Sequence, residues 1–391
     1  EHDVVLIEGA GSPAEINLKA RDIVNMRMAQ AADAACLLVG DIDRGGVFAS
    51  LLGTVELLEP GERALLRGFV VNKFRGDIGL LESGIQMIAD RILLPCAGVV
   101  PYLPDLGLDE EDSVALEHRP TARDAWGVNE DGPGRRLRIG VIAFPYLANF
   151  TDFDALAAEP SVSLAFLDHA DEVHRADLLI LPGSKQTLDD LAWLRRCGLE
   201  PGIQNFRGGA GVMGICGGMQ MLGFLIQDAA GMENAGVPRA DRGLGMLPIA
   251  TRLTDEKVTR VARGRVSCGA LFGQPLTAPC FQGYEIHLGE TIYAEGAAPF
   301  AEIQRESETA VRADGAIDSS RSAFGTYIHG VFNDDRFRHS FLDAARAACG
   351  LAPLEQRAFV TGGREARIDR LAAHVRRSMD MDLIRSCVGA R

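Results

Sequence analysis

The chain has 391 residues, of which 47% are hydrophobic and 24% are charged, and its formal net charge is -14. This composition is typical of a globular protein large enough for two domains, and the acidic balance argues against nucleic acid or an anionic membrane as the main partner. No apolar run approaches the roughly 20 residues that cross a bilayer. The eight cysteines contain no C-x-x-C pair, which argues against a disulfide framework or zinc cluster and favours a cytoplasmic protein.

The first part of the chain alternates apolar runs with amphipathic stretches. This pattern predicts parallel strands joined by helices in an α/β domain over residues 1–118. The predicted strands are Val4–Ile7, Ala35–Val39, Gly68–Asn72 and Gly98–Pro101, and the predicted helices are Asp22–Ala32, Val47–Leu58 and Gly79–Ile92.

A segment rich in charge, glycine and proline follows, and residues 119–136 are predicted to be an interdomain linker. A second α/β domain is predicted over residues 137–335. Its predicted strands are Leu137–Ala143, Val162–Leu167, Leu178–Leu181 and Val212–Ile215, with a helix at Leu188–Arg196. Residues 336–391 are predicted to form a helical tail packed on this second domain.

Cys216 follows a predicted strand and is surrounded by three glycines, at 214, 217 and 218. Glycines at these places permit a sharp turn from strand to helix that exposes the cysteine at the carboxyl edge of the sheet. The start of the helix would stabilise a thiolate, and its backbone N–H groups would point toward a developing oxyanion. The pattern favours a nucleophile over the alternative, a small cysteine buried in a packing turn.

A cysteine nucleophile needs a general base, and His329 is the best candidate because it ends an apolar strand and precedes a glycine. His287 competes on similar grounds, and a histidine at a strand end is often only a surface or core residue. The strand Leu179–Leu181 runs into a Pro-Gly turn whose backbone N–H groups would complete an oxyanion hole, unless it is simply a turn.

Together these segments resemble the class I glutamine amidotransferases over roughly residues 137–332, a family with a flavodoxin-like fold. The resemblance implies that Cys216 attacks the glutamine amide, that His329 moves the proton, and that Gly183, Ser184 and Gly217 form the oxyanion and glutamine pocket. Most members carry Glu two residues after the histidine, where this chain has Val331. The residue that orients His329 stays open at this stage, with Glu285 or a backbone carbonyl as candidates.

Three segments of the first domain carry a more specific pattern. They are Glu8–Leu18, Val39–Phe48 and Val71–Asp77, with the sequences EGAGSPAEINL, VGDIDRGGVF and VNKFRGD. A carboxylate at a strand end beside small residues is a common way to hold Mg²⁺ near a phosphate. The alternative for the acidic residues of the second segment is an exposed loop that caps the helix starting near Val47.

These segments resemble the glutamine-hydrolysing cobyric acid synthase family, whose synthetase half is similar to dethiobiotin synthetase, a P-loop-type fold. The resemblance implies ATP and Mg²⁺ as cofactors, with Glu8 and Asp41 near the metal, and Asn72, Asp43 and Arg44 near the nucleotide or a carboxylate. The sequence contains no G-x-x-x-x-G-K-[ST] motif. In the family this motif precedes the Glu8 segment, so we expect a synthetase domain that lacks its N-terminal part.

The implied activity is amidation of the b, d, e and g carboxylates of adenosylcobyrinic acid a,c-diamide in cobalamin biosynthesis, with ATP and glutamine, to give adenosylcobyric acid. The implied partners are therefore glutamine and this corrinoid, and a homo-oligomer is compatible with the sequence. The alternatives are cobyrinic acid a,c-diamide synthase, a regulatory nucleotide-binding protein with a silent amidotransferase-like domain, and a cysteine peptidase. The Pro182–Lys185 turn argues against the diamide synthase, and the Cys216 turn argues against the regulatory protein. The synthetase segments argue against the peptidase.

Overall fold

The computed structural model describes residues 2–104, 106, 120–126, 132, 134–318, 322–354, 356–359 and 363–388. The chain divides into two units, one of Glu1–Leu108 with Arg364–Arg391 and the other of Asp109–Gly363. Among the helices of the described residues, none combines the length and the apolar composition that a membrane span requires.

The first unit is built on a three-stranded parallel sheet in the order β1-β2-β3, with helices in the crossover connections. Its elements up to residue 108 are α1 (Met26–Ala31), β1 (Cys36–Asp41), α2 (Val47–Leu57), α3 (Pro60–Arg63), β2 (Leu66–Phe74), α4 (Gly79–Ile92) and β3 (Cys96–Pro101). Phe69 and Val71 of β2 are fully buried, and Leu51 of α2 packs in the same core. The α/β class predicted for this region is confirmed.

The predicted strand Val4–Ile7 is not formed in this structure. The segment has no strand pairing, and its side chains are exposed, with Leu6 at 92%. A strand needs a hydrogen-bonded neighbour, and an apolar run alone does not supply one.

The second unit contains most of the remaining elements. Its helices are α5 (Ala122–Ala125), α6 (Asp154–Ala157), α7 (Ala170–Val173), α8 (Thr187–Arg196), α9 (Leu199–Gln204), α10 (Gly217–Leu222) and α11 (Asp335–Ala348). Its strands are β4 (Leu137–Ile142), β5 (Leu147–Ala148), β6 (Val162–Leu167), β7 (Leu178–Leu181), β8 (Gly183–Ser184), β9 (Val212–Ile215), β10 (Leu225–Asp228), β11 (Arg239–Asp241), β12 (Ile249–Val266), β13 (Ala270–Leu271), β14 (Gln274–Pro275), β15 (Cys280–Tyr293), β16 (Ala301–Arg305), β17 (Val311–Asp314), β18 (Ala316–Ile317), β19 (Ala323–Thr326) and β20 (Ile328–His329).

Two larger sheets organise this unit. A six-stranded sheet runs in the order β18-β19-β9-β7-β4-β6, and all its pairs are parallel except β18 with β19. A second sheet is built around the long antiparallel pair β12 and β15, and β20 extends it by pairing with β15. Since β19 lies in the first sheet and β20 in the second, the chain changes sheets just before His329.

The predicted linker is partly built into the second unit. Thr121 begins α5, Ala122 is fully buried, and the Trp126 indole donates to the Ser163 carbonyl oxygen at 2.9 Å. The buried Trp126 anchors residues 120–126 on β6. The linker prediction missed this contact because the sequence around the tryptophan is rich in charged residues. The rest of the predicted linker lies largely outside the described residues.

The predicted C-terminal tail is divided between the two units. Helix α11 packs in the second unit as expected, but α12 (Gly363–Ser378) and α13 (Met381–Cys387) belong to the first. Their apolar side chains cover buried residues of β2 and β3, namely Val70, Ala97 and Val100. The expectation that all of 336–391 packs on the second domain is therefore wrong, because an amphipathic pattern shows that a helix has a buried face without showing which sheet it covers.

Candidate active site

Cys216 occupies the sharp turn between β9 and α10. Its backbone has φ 51° and ψ -113°, a conformation that is unfavourable for a residue with a β-carbon. The turn is held from both sides, since the Cys216 N–H donates to the Thr326 carbonyl oxygen at 2.8 Å and the Cys216 carbonyl oxygen accepts from Gln220 N–H. The thiol donates to the Ile286 carbonyl oxygen at 3.5 Å.

Gly218 allows α10 to lie against the end of β7. A β-carbon placed on Gly218 would be only 2.0 Å from the Leu181 carbonyl oxygen, which is a backbone atom and cannot move aside. We expect Gly218→Ala to lower the free energy of unfolding by about 1–3 kcal/mol, the usual cost of overpacking. Denaturant unfolding measures this. Gly53→Ala is the matched control, since a β-carbon there meets no atom within 4 Å and a helical alanine is favourable. Equal stability of the two variants would contradict the prediction.

His329 is fully buried at the end of β20 and is bound by a carboxylate from a distant part of the chain. Its Nδ1 donates to Asp152 Oδ2 at 2.7 Å, and the other oxygen of Asp152 accepts from the Gly330 N–H, also at 2.7 Å. Asp152 is itself buried, in a 3-10 turn at Phe150–Phe153. Both Asp152 oxygens are therefore used to fix the imidazole and the backbone that carries it.

The surroundings of His329 favour its protonated form. Burial alone would lower the pKa of His329, but the charge and hydrogen bond of Asp152, together with a hydrogen bond and charge interaction with Cys216, raise it to about 10. An imidazolium beside a cysteine can give a proton to the leaving group of a reaction at that sulfur. The His329 imidazole therefore lies between the Asp152 carboxylate and the Cys216 sulfur, the arrangement of a Cys–His–Asp triad.

Two further residues lie close to the edge of the His329 ring. The Asn149 amide nitrogen lies 3.3 Å from Nδ1 and 3.2 Å from Nε2, and a β-carbon on Gly183 would lie 3.1 Å from Cε1. On the other side, the Tyr284 ring is nearly parallel to the imidazole, with centroids 5.6 Å apart. These neighbours fix the orientation of the ring plane, and the Asp152 hydrogen bond fixes the rotation of the ring within that plane.

Sequence reasoning did not find Asp152 or Asn149. A signal was present, because both follow the first strand of this domain, and polar residues after a parallel strand lie at the carboxyl edge of the sheet where sites form. The candidate orienting residue Glu285 is wrong for this role. Its carboxylate binds His287 Nε2 at 3.0 Å and the Arg305 guanidinium at 2.7 Å.

His287 is also excluded as the base by its contacts. Nδ1 lies 3.1 Å from the Gly289 carbonyl oxygen and Nε2 lies 3.0 Å from the Glu285 carboxylate, so neither ring nitrogen is open toward a nucleophile. The ring stacks on Tyr327 with centroids 3.9 Å apart. His287 therefore stabilises the strand β15 beside the site.

The predicted oxyanion residues come together next to Cys216. A β-carbon on Gly217 would lie 3.0 Å from the Ser184 amide nitrogen, and Gly183 faces His329. The short strand β8, formed by Gly183 and Ser184, pairs with β5 rather than continuing the sheet. Two backbone segments, one after Cys216 and one after β7, thus lie side by side, as the predicted oxyanion hole requires.

The predicted nucleotide and substrate residues of the first unit lie at the carboxyl ends of β1 and β2. Asp41 and Asn72 are paired in register across these strands, and Asp41 binds Lys73 Nζ at 2.9 Å. Burial would raise the pKa of Asp41, but the Lys73 ammonium and the other hydrogen bonds keep it below its usual value. Asp43 pairs with Arg75 at 3.1 Å.

The alternative that this loop caps helix α2 is wrong. The residue before the helix is Gly46, and no side chain caps its N-terminus. Arg44 is exposed in the same loop.

The residues predicted to bind Mg²⁺ do not form a metal site in this structure. Glu8 lies in the exposed N-terminal segment rather than at a strand end, and Asp41 is already paired with Lys73. Among the described residues, no group of three or more potential ligand side chains gathers at one point. The geometry therefore gives no support to Glu8 and Asp41 as metal ligands.

Comparison with known proteins gives matches over nearly the whole chain. Residues 138–337 match the model of the CobB/CobQ-like glutamine amidotransferase domain, and residues 1–109 match an AAA domain. A protein named cobyric acid synthase from Sorangium cellulosum is 46% identical over 99% of this chain and 75% of its own length. One of the same name from Moorella thermoacetica is 43% identical over 100% of this chain and 74% of its own length.

Proposed function

The chain belongs to the cobyric acid synthase family, and on that basis we propose that it amidates the b, d, e and g carboxylates of adenosylcobyrinic acid a,c-diamide. Glutamine supplies the nitrogen and ATP activates the carboxylates, so the enzyme is a carbon–nitrogen ligase. The glutamine half-reaction belongs to the second unit. The carboxylate half-reaction belongs to the first.

The first step of the glutaminase reaction is carried by Cys216. Its thiolate attacks the side-chain amide carbon of glutamine, which forms a carbon–sulfur bond and places the negative charge on the amide oxygen. The Gly217 and Ser184 backbone N–H groups stabilise this oxyanion. His329 then gives its Nε2 proton to the departing nitrogen, the carbon–nitrogen bond breaks, and ammonia leaves a thioester on Cys216.

The thioester is hydrolysed by the same groups in reverse. Neutral His329 takes a proton from water, the resulting hydroxide attacks the thioester carbon, and the thiolate leaves as glutamate is released. Asp152 holds Nδ1 throughout, so that Nε2 is always the nitrogen that exchanges the proton. The released ammonia is the nucleophile for the ligase reaction.

The observation that carries this proposal is the connected set Cys216, His329 and Asp152. Class I amidotransferases usually orient the histidine with a glutamate two residues later, and this chain has Val331 at that place. If no carboxylate contacted His329, the alternative of a silent, regulatory domain would be favoured. The 2.7 Å contact from Asp152 supplies a carboxylate from another segment, and this supports a working glutaminase.

For the first unit we propose nucleotide binding at the carboxyl ends of β1 and β2, consistent with the AAA domain match. Asn72 would contact the base, and Asp43 and Arg44 would lie near phosphate or the substrate carboxylate. A carboxylate oxygen is a poor leaving group until it is phosphorylated, so ATP converts the corrinoid acid to an acyl phosphate, and ammonia displaces the phosphate to give the amide.

The direct test is mass spectrometry of adenosylcobyrinic acid a,c-diamide after incubation with the protein, Mg-ATP and glutamine that carries heavy nitrogen in its side-chain amide. We expect stepwise replacement of carboxylates by amides that contain the heavy nitrogen. Omitting ATP should stop the corrinoid reaction. Ammonium should replace glutamine as the nitrogen source.

Cobyrinic acid without its two amides is the matched substrate control. Amidation of this acid, with no reaction of the diamide, would support the a,c-diamide synthase alternative instead. An unchanged corrinoid with either nitrogen source would contradict the ligase proposal for this chain.

A further inference from the structure

Asp190 is a fully buried carboxylate in the first turn of α8. Burying a carboxylate costs desolvation free energy that an apolar side chain at the same place would not cost. Its Oδ2 accepts the Ser184 hydroxyl at 2.5 Å, and its Oδ1 accepts the Tyr146 N–H at 3.1 Å. One side chain thus binds two separate loops of the second unit. Neither the sequence motifs nor the proposed mechanism assigns it a role.

The two loops that Asp190 joins are also paired with each other. Strand β5 pairs with β8, so Leu147 lies opposite Ser184, and the Lys185 N–H donates to the Tyr146 carbonyl oxygen at 2.8 Å. The Ser184 hydroxyl also accepts from the Gln186 N–H at 3.0 Å. The serine hydroxyl is therefore fixed by a carboxylate on one side and a backbone amide on the other.

Both loops reach the reacting groups within a few residues. On the β8 side, Ser184 lies beside Gly217, and Gly183 faces His329. On the β5 side, Asn149 follows directly and contacts His329, and Asp152 comes three residues later. The Asp190 contacts hold the Ser184 side of the site directly, whereas the buried His329–Asp152 pair has its own hydrogen bonds.

We infer that Asp190 is a positioning residue that fixes the Ser184 backbone N–H as an oxyanion donor, acting through the Ser184 hydroxyl and the Tyr146 amide. This inference rests on the proposed glutaminase. Asp190 is itself buried and bonded to Ser184 and Tyr146, so its expected effect is on the position of the amide that meets the developing negative charge.

The ionised Asp190 carboxylate does not stabilise the fold, so its role is to hold the groups that it contacts in place. Burial raises the pKa of Asp190 to about 6, and the neighbouring carboxylates of Glu233 and Asp189 add to the rise, against the two hydrogen bonds that lower it. The ionised carboxylate is therefore less favourable in the folded chain than in the unfolded chain at neutral pH. What it provides is two strong acceptors at one point, which no neutral side chain of the same shape offers.

Asp190→Asn is the first test variant. An asparagine has one oxygen and one NH₂ group in place of two oxygens, so it cannot accept from both Ser184 and Tyr146. We expect kcat for glutamine hydrolysis to fall by about 10- to 100-fold, less than the 10²- to 10³-fold loss of a whole oxyanion donor, with a smaller change in KM. Ser184→Ala should behave in the same way, because it removes the hydroxyl and keeps the backbone amide.

A second measurement separates the oxyanion turn from the nucleophile. Alkylation of Cys216 by iodoacetamide, followed by mass spectrometry of the Cys216 peptide, displaces iodide at a saturated carbon and forms no oxyanion. We expect the alkylation rates of Asp190→Asn and Ser184→Ala to stay within about twofold of the wild type. Asp189→Asn is the matched control, since this neighbour is half exposed and pairs with Arg239, and we expect neither rate to change.

Each outcome has a distinct meaning. Hydrolysis by Asp190→Asn within twofold of the wild type would overturn the inference and leave the glutaminase intact. A parallel loss of alkylation would also overturn it, because Asp190 would then act on Cys216 or on the fold as a whole. If Asp190→Asn does not fold, Ser184→Ala decides by the same two rates. A wild-type protein that does not hydrolyse glutamine would instead refute the proposed function.

Discussion

Replacing Cys216 by serine is expected to lower the rate of glutamine hydrolysis by at least about 10⁴-fold, a loss typical of a removed nucleophile. The serine hydroxyl keeps its proton near neutral pH, and an imidazolium at His329 is not able to remove it. The side chain is nearly isosteric, so the turn between β9 and α10 should keep its conformation. Glutamate formation under saturating glutamine measures the effect.

The same variant should retain the ligase half-reaction when ammonium replaces glutamine. Ammonia from solution needs no thioester, so only the glutamine-dependent amidation is lost. Cys197→Ser is the matched control, because Cys197 is exposed at the end of α8 and makes no contribution to the site. Glutamine hydrolysis that survives in Cys216→Ser would show that another residue is the nucleophile.

The nucleophile could be predicted from the sequence because its conformation is encoded locally. A strand, a cysteine and flanking glycines occupy consecutive positions, and the structure gives Cys216 the strained backbone that such a turn requires. The class of fold was predicted for the same reason, since the alternation of strands and helices is a local pattern.

What could not be predicted depends on contacts between distant segments. Asp152 and His329 are 177 residues apart in the sequence, and no spacing rule connects them. Glu285 was the nearer carboxylate in sequence, but on β15 it faces Arg305 and His287. Residues 336–391 are predicted from the sequence to be helical, but only the tertiary structure shows that Leu383 and Ile384 of α13 cover β2 and β3.

The Asp152–His329 pair leads to the second large effect. We expect Asp152→Asn to lower kcat for glutamine hydrolysis by about 10³- to 10⁴-fold, as the loss of the orienting carboxylate does in serine protease triads. The asparagine either presents its NH₂ group to Nδ1 and forces the proton onto Nε2, or keeps an oxygen there without the charge that favours imidazolium. Either way less positive charge is held beside the Cys216 sulfur, so iodoacetamide alkylation of Cys216 should slow as well, in contrast to Asp190→Asn.

The pH dependence of stability gives an independent measure of the same pair. The pKa of His329 lies near 10 in the folded chain and near 6.5 in the unfolded chain. The imidazolium therefore contributes stability that is fully present below pH 6.5 and is lost as the pH rises toward 10. In Asp152→Asn this contribution should be absent, so its free energy of unfolding should fall less between pH 7 and 10.

Asp154→Asn is the matched control, an exposed change two residues away. It should keep the wild-type rate of glutamine hydrolysis and the wild-type dependence of the free energy of unfolding on pH. A variant at 152 with an unchanged slope would show that Asp152 does not hold the charge of His329, and the orienting role would then have to be assigned elsewhere.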